Sequence, residues 1–362
     1  MVKRTPFYDI HCSLGAKMTE FAGFDMPVQY AGIIEEHLAV RRSVGVFDVT
    51  HMGEFIVRGA GALPFLQKVT INDVARLKPG RVQYTAMCYD DGGIVDDLLV
   101  YRLEDGYMLV VNAANCAKDF AWLREHIPAN AEISDRSEAT ALLAVQGPRS
   151  QRTLQKLTKT DLSKVEYYSF VTGDIAGVPM TISRTGYTGE LGFELYFESS
   201  IPVAKKIWDA VFEAGKEFSI APVGLGARDT LRLEMGYCLY GNDIDQSTHP
   251  LEAGLGWITK LGKSDFCGKQ AIVKAKEQGL KRKLVGFVLP DRTIARHGYE
   301  IRSNGIRAGI VTSGTYSPSL QRGIGMGYVS PELSAPGTVV SVSVRGKEVP
   351  ADVVLPPFVK KQ

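Results

Sequence analysis

Charge of one sign is missing from this 362-residue chain: 42 basic residues stand against 40 acidic ones, for a formal charge of +2. So weak a net field recruits neither nucleic acid nor an anionic membrane surface. No apolar run reaches the ~20 residues that cross a bilayer. The opening Met1-Val2-Lys3-Arg4-Thr5-Pro6 lacks the apolar core of a secretory signal and is too short for a transit peptide, so a cytoplasmic, bacterial-type protein is expected. The five cysteines, Cys12, Cys88, Cys116, Cys238 and Cys267, are scattered and form no Cys-x-x-Cys. That argues against a disulfide framework and structural zinc, and each is expected to be a small buried residue. The six histidines show no His-x-x-x-His or His-Glu-x-x-His spacing, so no metal site is expected. There is no Walker phosphate loop and no Gly-x-Ser-x-Gly elbow. Neither Gly224-Leu225-Gly226 nor Gly323-Ile324-Gly325-Met326-Gly327 spells a dinucleotide fingerprint. Acyl-enzyme chemistry and nucleotide hydrolysis therefore have no visible machinery.

What is present is an ordinary soluble composition, 45% hydrophobic and 23% charged, long enough for two or three domains. Apolar spacing predicts helices over 32–43, 117–127, 150–159 and 227–235. Ser200 and Pro202 open another, in which Val203, Ile207 and Val211 recur at helical spacing. A strand is expected over 137–146, and 167–196 reads as β-rich. Beyond about Gln278 short strands alternate with turns such as Ser303-Asn304-Gly305 and Val344-Arg345-Gly346-Lys347, which suggests a separate C-terminal β-barrel. The lysine-rich run from Lys274 to Lys283 reads as a linker, and a solvated helix end is preferred for it over nucleic-acid binding.

The most informative feature is the acidic pair in Ile94-Val95-Asp96-Asp97-Leu98-Leu99-Val100-Tyr101. Strands deplete Asp, and a buried carboxylate is costly unless it is paired or hydrogen-bonded. Successive strand side chains point to opposite faces, so the two acids cannot form a proton-sharing dyad. One is expected to cap the preceding turn, and the other, Asp97, to present its carboxylate to whatever lies on its face. Asp90-Asp91-Gly92-Gly93 reads as a four-residue hairpin loop, and Glu104-Asp105-Gly106-Tyr107 carries a two-residue turn signal. With both hairpins in register, Tyr84 and Asn112 oppose Leu99. Tyr84, Asp97, Tyr101 and Asn112 would then line one side of a meander, a polar and aromatic surface suited to a planar heterocycle. The solvent-facing side of a half-buried sheet fits the same pattern.

Two further segments are dense in polar and glycine residues. In Arg184-Thr185-Gly186-Tyr187-Thr188-Gly189-Glu190-Leu191-Gly192-Phe193-Glu194-Leu195, three glycines allow a close backbone approach or a tight turn. Glu194 should point away from the side that Phe193 and Leu195 pack, as an acceptor for an amidine-like edge or as a salt-bridged strand acid. In Ala227-Arg228-Asp229-Thr230-Leu231-Arg232-Leu233-Glu234 the two arginines share a helical face, offering bidentate donation to carboxylate or a surface ion network with Asp229 and Glu234.

Taken with Gly45-Val46-Phe47-Asp48-Val49-Thr50-His51-Met52-Gly53-Glu54, Val145-Gln146-Gly147-Pro148, Cys238 to Asp245, Val311-Thr312-Ser313-Gly314 and Pro357-Phe358-Val359, these segments make the chain resemble the T-protein aminomethyltransferases of glycine cleavage from end to end. The resemblance implies an α+β, three-domain cloverleaf around a central folate site. Residues 1–52 with 148–275 would form the folate-binding core, 53–147 a ferredoxin-like lobe carrying the catalytic acid, and 276–362 the C-terminal β-barrel. It implies transfer of the aminomethyl carbon from the lipoylated H-protein to tetrahydrofolate, with ammonia released. By the same resemblance Asp97 is the essential acid, Glu194 holds the pterin, Arg228 contacts folate and Tyr187 is a pocket aromatic, beside Tyr84, Tyr101 and Asn112. Many relatives carry an acid where this chain has Leu191. Two related readings compete. A folate-dependent demethylation unit would be fused to a flavin domain, for which the chain has no fingerprint. A non-catalytic folate-binding protein of iron–sulfur maintenance would carry a cysteine in its glycine-rich signature, and 184–194 has none.

Overall fold

The structure, a computed structural model, describes residues 2–360, which divide into two compact units. The first comprises the chain up to Phe65, Val74–Tyr84 and Leu98–Asp229; the second comprises Leu66–Asp73, Thr85–Asp97 and the chain from Thr230 onward. Strands Val82–Cys88 and Ile94–Arg102 and helix Leu225–Glu234 each run through a boundary.

In the first unit a six-stranded sheet has the order Phe170–Ile175, Val178–Ser183, Gly192–Glu198, Thr140–Gln146, Gly45–Asp48, Ala221–Pro222. Thr140–Gln146 is a near-continuous apolar run because it is central and covered on both faces. On its neighbour, Phe193, Leu195 and Phe197 alternate into a core shared with Ala141, Leu143 and Val145 and with Ile207, Trp208 and Val211 of helix Ile201–Gly215. Each such large side chain contributes roughly 1.5–3 kcal/mol by leaving water. Strand alternation therefore sends Glu194 and Tyr196 to the other face. The expected helices are present as Ile33–Arg42, Cys116–His126, Ser150–Gln155, Ile201–Gly215 and Leu225–Glu234. Ser200 is extended and precedes Pro202 as expected, but its hydroxyl makes no capping bond.

A second sheet has the order Val82–Cys88, Ile94–Arg102, Tyr107–Val111, Gly53–Arg58, Glu132–Asp135. Helix Cys116–His126 covers Phe55, whose ring meets Phe120 at 5.1 Å. The register corrects the two-residue turn at Glu104–Tyr107: Arg102 pairs with Tyr107, so the loop holds four residues and Val110, not Asn112, opposes Leu99. Gly106 is needed for a different reason, since a Cβ there would stand 2.5 Å from the Val57 carbonyl oxygen. A shift of two residues preserves the face, so Leu99 and Val110 still share a side.

The second unit contains the expected closed barrel, in the order Lys283–Val288, Arg322–Val329, Ile306–Ser317, Glu300–Ser303, Val339–Val344, Lys347–Val354. Phe287, Ile301, Val311, Val340, Val342 and Val353 fill it. Both sequence-predicted turns are tight hairpins with two residues at positive φ: Asn304 and Gly305 between Ser303 and Ile306, and Arg345 and Gly346 between Val344 and Lys347. Of the lysine-rich run, 274–278 form the solvated end of helix Lys269–Gln278, and 279–282 connect it to the first barrel strand.

Candidate functional site

The acid-pair strand is anchored at its start within the second unit. Tyr89 N–H donates to the Gly93 carbonyl at 2.8 Å and Gly92 takes positive φ. Asp91 caps this turn, its carboxylate accepting from Gly93 N–H at 2.9 Å. Gly93 packs so closely on the Gln246 carbonyl that a Cβ would lie 1.9 Å from its oxygen. Ile94 N–H donates to the Thr248 carbonyl at 3.1 Å, while the Tyr240 hydroxyl donates to the Ile94 carbonyl at 3.0 Å. The loop 240–248 thus fixes the strand just before the acids. Asp96 is fully buried and Asp97 half-buried, as alternation requires. The field of Asp97 reaches Cys238, whose thiol is pushed well above its ordinary range by burial first, then by Asp243 and Asp97.

In the first unit Glu194 stands on the face opposite Phe193 and Leu195. Its Oε2 accepts from the Thr185 hydroxyl and, at 3.5 Å, from the Tyr196 hydroxyl. Thr185 also meets Ser183 Oγ at 2.9 Å and the Tyr101 hydroxyl at 3.2 Å, and the Tyr101 and Tyr196 hydroxyls meet at 2.8 Å. Tyr101 is fully buried, its ring edge-on to Tyr196 at 5.6 Å, so it braces Glu194 from behind. Burial raises the Glu194 carboxyl above its usual range, opposed by the Thr185 bond, the Arg228 charge and Tyr196. Glu194 is thus a buried carboxyl held in one orientation by a hydroxyl chain. Thr185 and Tyr196 were not singled out from sequence, although Tyr196 lies two residues along the same strand face.

The loop carrying Thr185 and Tyr187 is bolted by Gln146. Its amide donates to the Thr185 carbonyl at 3.1 Å and its oxygen accepts from Thr188 Oγ1 at 2.9 Å. Gly186 and Gly192 make room for this amide: a Cβ at either would lie 2.1 or 2.4 Å from it. Two of the three loop glycines therefore accommodate a structural side chain and not a ligand. Leu191 contributes through its backbone, its carbonyl accepting from Gly147 N–H at 2.7 Å and Ser150 Oγ at 3.2 Å. An acid at that position is not needed for this bonding.

Arg228 lies with its guanidinium 4.7 Å from the centre of the Tyr187 ring, a cation–π contact that brings two predicted site residues together. The start of its helix is tied down by Glu36, a buried carboxylate that accepts from Gly224 N–H at 2.8 Å, Tyr30 N–H at 2.6 Å and Gly32 N–H at 3.0 Å. Gly224 presses on Val28 so closely that a Cβ would fall 2.4 Å from the Val28 carbonyl oxygen. His51 is buried near this arginine with the Phe21 ring edge-on at 5.4 Å; burial, and then the Arg228 charge, lower its pKa to about 4. It is neutral at pH 7. Arg232 has a separate, structural task in the second unit, donating to Asp243 at 2.7 Å, Ser313 at 2.8 Å and the Tyr237 carbonyl at 2.9 Å. Glu234 accepts from the Ser317 and Ser319 hydroxyls. Tyr84 on its strand and Asn112, just past strand Tyr107–Val111, are half-buried.

Among the described residues no three His, Cys, Asp or Glu side chains gather in a way that could hold a metal ion, and no helix is long and apolar enough to cross a membrane. The cysteines are free; Cys88 and Cys238 are buried, whereas Cys12 is exposed, contrary to the expectation for it.

Comparison with known proteins converges on one family. Residues 7–263 match the GCVT N-terminal domain, and residues 282–360 match the glycine cleavage T-protein C-terminal barrel domain. A protein of Halothermothrix orenii named aminomethyltransferase is 55% identical over 359 residues, covering 99% of this chain and all of that protein. An aminomethyltransferase of Bacteroides fragilis is 57% identical over 364 residues, with the same coverage. The crystal structure of the glycine cleavage system aminomethyltransferase T from Bartonella henselae superposes with a TM-score of 0.93 at 35% identity, covering 100% of this chain and 99% of that one.

Proposed function

Because the chain belongs to the aminomethyltransferase family, the T-protein of glycine cleavage, we propose that it takes the aminomethyl group carried on the dihydrolipoyl arm of an H-protein and passes its methylene to tetrahydrofolate. Two folate N–H bonds are replaced by two bonds to the methylene carbon. The carbon–sulfur and carbon–nitrogen bonds break, and the displaced protons end on the dihydrolipoyl thiol and on ammonia. The products are methylenetetrahydrofolate, ammonia and the reduced lipoyl arm.

The observation that carries the folate reading is Glu194. A carboxylate buried to 9% exposure, fixed by Thr185 and Tyr196 and within the field of Arg228, is a ready acceptor for the two parallel N–H donors on the amino-imino edge of a pterin. Arg228 keeps that carboxyl nearer its charged form, which the pairing needs. Tyr187, with Tyr84 and Asn112, is assigned to the walls of the pterin pocket, and Tyr101 to its support.

Asp97 is assigned the chemistry. Its strand is clamped at Gly93 and Ile94, just before the acid. Hydrogen-bonded to the attacking folate nitrogen, it would orient that nitrogen and stabilise positive charge as it develops at the methylene. The test is ammonia and methylenetetrahydrofolate formation when the chain is mixed with aminomethylated H-protein and tetrahydrofolate. Turnover that requires both substrates establishes the reaction. Folate binding without turnover would overturn it in favour of the non-catalytic folate-binding reading.

A further inference from the structure

Glu54, on strand Gly53–Arg58, is a buried acid that the mechanism above leaves unused. Its backbone is committed: its N–H donates to Ser137 Oγ at 3.0 Å and its carbonyl accepts from Arg136 N–H at 2.8 Å. Its residue exposure is 1%, yet neither carboxyl oxygen has a hydrogen-bond partner among the described residues. The one hydroxyl close to its backbone, Ser137 Oγ, donates to Asp135. An ionised carboxylate in such a place is prohibitively costly, and even a neutral one with nothing to bond costs free energy. An orphaned buried carboxyl is therefore a group awaiting a partner.

Its position shows where that partner lies. Glu54 pairs with Val110, and Val110 pairs with Leu99; directly opposed residues share a face. Glu54 is thus on the face of Leu99 and Tyr101, the face from which the Tyr101 hydroxyl reaches Tyr196 behind Glu194. The titratable groups around it are Glu194 and Tyr196 from the six-stranded sheet, Asp135 from the adjoining edge strand and Cys116 from the covering helix. None of these supplies a positive charge. Burial, with the negative fields of Asp135 and Glu194, holds the Glu54 carboxyl well above the ordinary range and so favours its neutral form.

We propose that Glu54 is a second pterin-positioning residue, a protonated carboxyl whose hydroxyl donates to a ring acceptor of the heterocycle while Glu194 accepts from its amino-imino edge. The proposal rests on the reading of Glu194 as the pterin's acceptor. Two carboxyls, one accepting and one donating, would match the donor and acceptor edges of one planar ligand. A single carboxylate could not discriminate both.

The experiment is calorimetric binding of tetrahydrofolate to the full chain and to E54L, E54Q and E194Q, with melting temperatures and infrared spectra of the ligand-free proteins. E54L, isosteric but without a donor, should bind about tenfold more weakly while melting no lower than wild type, because it removes an unsatisfied buried polar group. E54Q, whose amide can still donate, should stay within about threefold of wild type. Ligand-free wild type should show the carbonyl band of a protonated carboxyl, and E54Q should lack it. Wild-type affinity in E54L, equal losses with lowered melting in both Glu54 variants, or the absence of that band would each overturn the proposal. If E194Q weakens binding while E54L does not, only the role of Glu54 falls. If E194Q binds folate as wild type does, the pterin reading itself falls.

Discussion

Replacing Glu36 by Gln should show how far folate recognition depends on a residue that touches no folate. Glu36 is 1% exposed, and its two oxygens accept three backbone N–H groups, from Tyr30, Gly32 and Gly224. Gln can keep its oxygen on the Tyr30 and Gly32 side, but its NH2 then faces the Gly224 N–H, donor against donor. One charge-assisted bond is lost, at about 1.5–3 kcal/mol, and a buried donor is stranded, at about 1–3 kcal/mol more. Partial relaxation should leave a net loss of roughly 2–4 kcal/mol. The function should follow, because Gly224 begins the helix that presents Arg228 beside Tyr187. Urea unfolding monitored on the purified variant reads the first effect; steady-state kinetics with varied tetrahydrofolate reads the second, expected as a raised KM with kcat nearly unchanged. A variant within about 0.5 kcal/mol of wild type and with an unaltered KM would refute the view that Glu36 anchors this arginine.

Asp97→Asn should retain folate binding and lose about 100- to 10,000-fold in turnover, measured as ammonia release; Asp96→Asn should lower the melting temperature, and a comparable catalytic loss there would show that the faces are assigned in reverse. Gly186→Ala places a methyl about 2.1 Å from the Gln146 amide oxygen, so it should displace that amide and lower both melting temperature and folate affinity, checked by calorimetry. Arg232→Met leaves Asp243 buried without its cation and should cost about 3–5 kcal/mol in denaturant titration. His51 has its pKa lowered from 6.5 to about 4, so the unfolded chain takes up its proton before the folded one does. Stability attributable to it should be intact above about pH 6.5, decline as pH falls towards about 4 and level off below that. His51→Phe should flatten that part of the stability–pH curve, and an unchanged slope would show that His51 does not titrate this way.

Local chemistry decided what the sequence could reveal. The barrel hairpins were readable because Asn304-Gly305 and Arg345-Gly346 take the positive φ that such turns demand, and that demand is met by two adjacent residues. Glu194 was readable because its neighbours Phe193 and Leu195 belong to a core, and alternation leaves it only one direction. The turn at Gly106 was misread because its glycine answers to the Val57 carbonyl of another strand, not to the turn. The capping role of Asp91 was not legible because which acid caps a turn depends on the path taken by the backbone.

Polar support comes from residues whose partners are far along the chain, and no window of sequence contains both. Gln146 and Thr188 are 42 positions apart, and Glu36 and Gly224 are 188 apart. Tyr101 and Tyr196, whose hydroxyls meet behind Glu194, are separated by 95. The same physics explains why these residues matter. A carboxylate can recognise a ligand edge with directional precision only if its own orientation is over-determined, and in a buried setting that requires donors fixed by elements other than its own. Thr185 is such a donor, held by Ser183 beside it and by Tyr101 from a different sheet. The face to which Glu194 points is therefore legible from local pattern, whereas the orientation of its carboxylate is a property of the fold. Glu54 is the exception that tests this rule, since it is buried on the same side and neither of its carboxyl oxygens has a hydrogen-bond partner among the described residues.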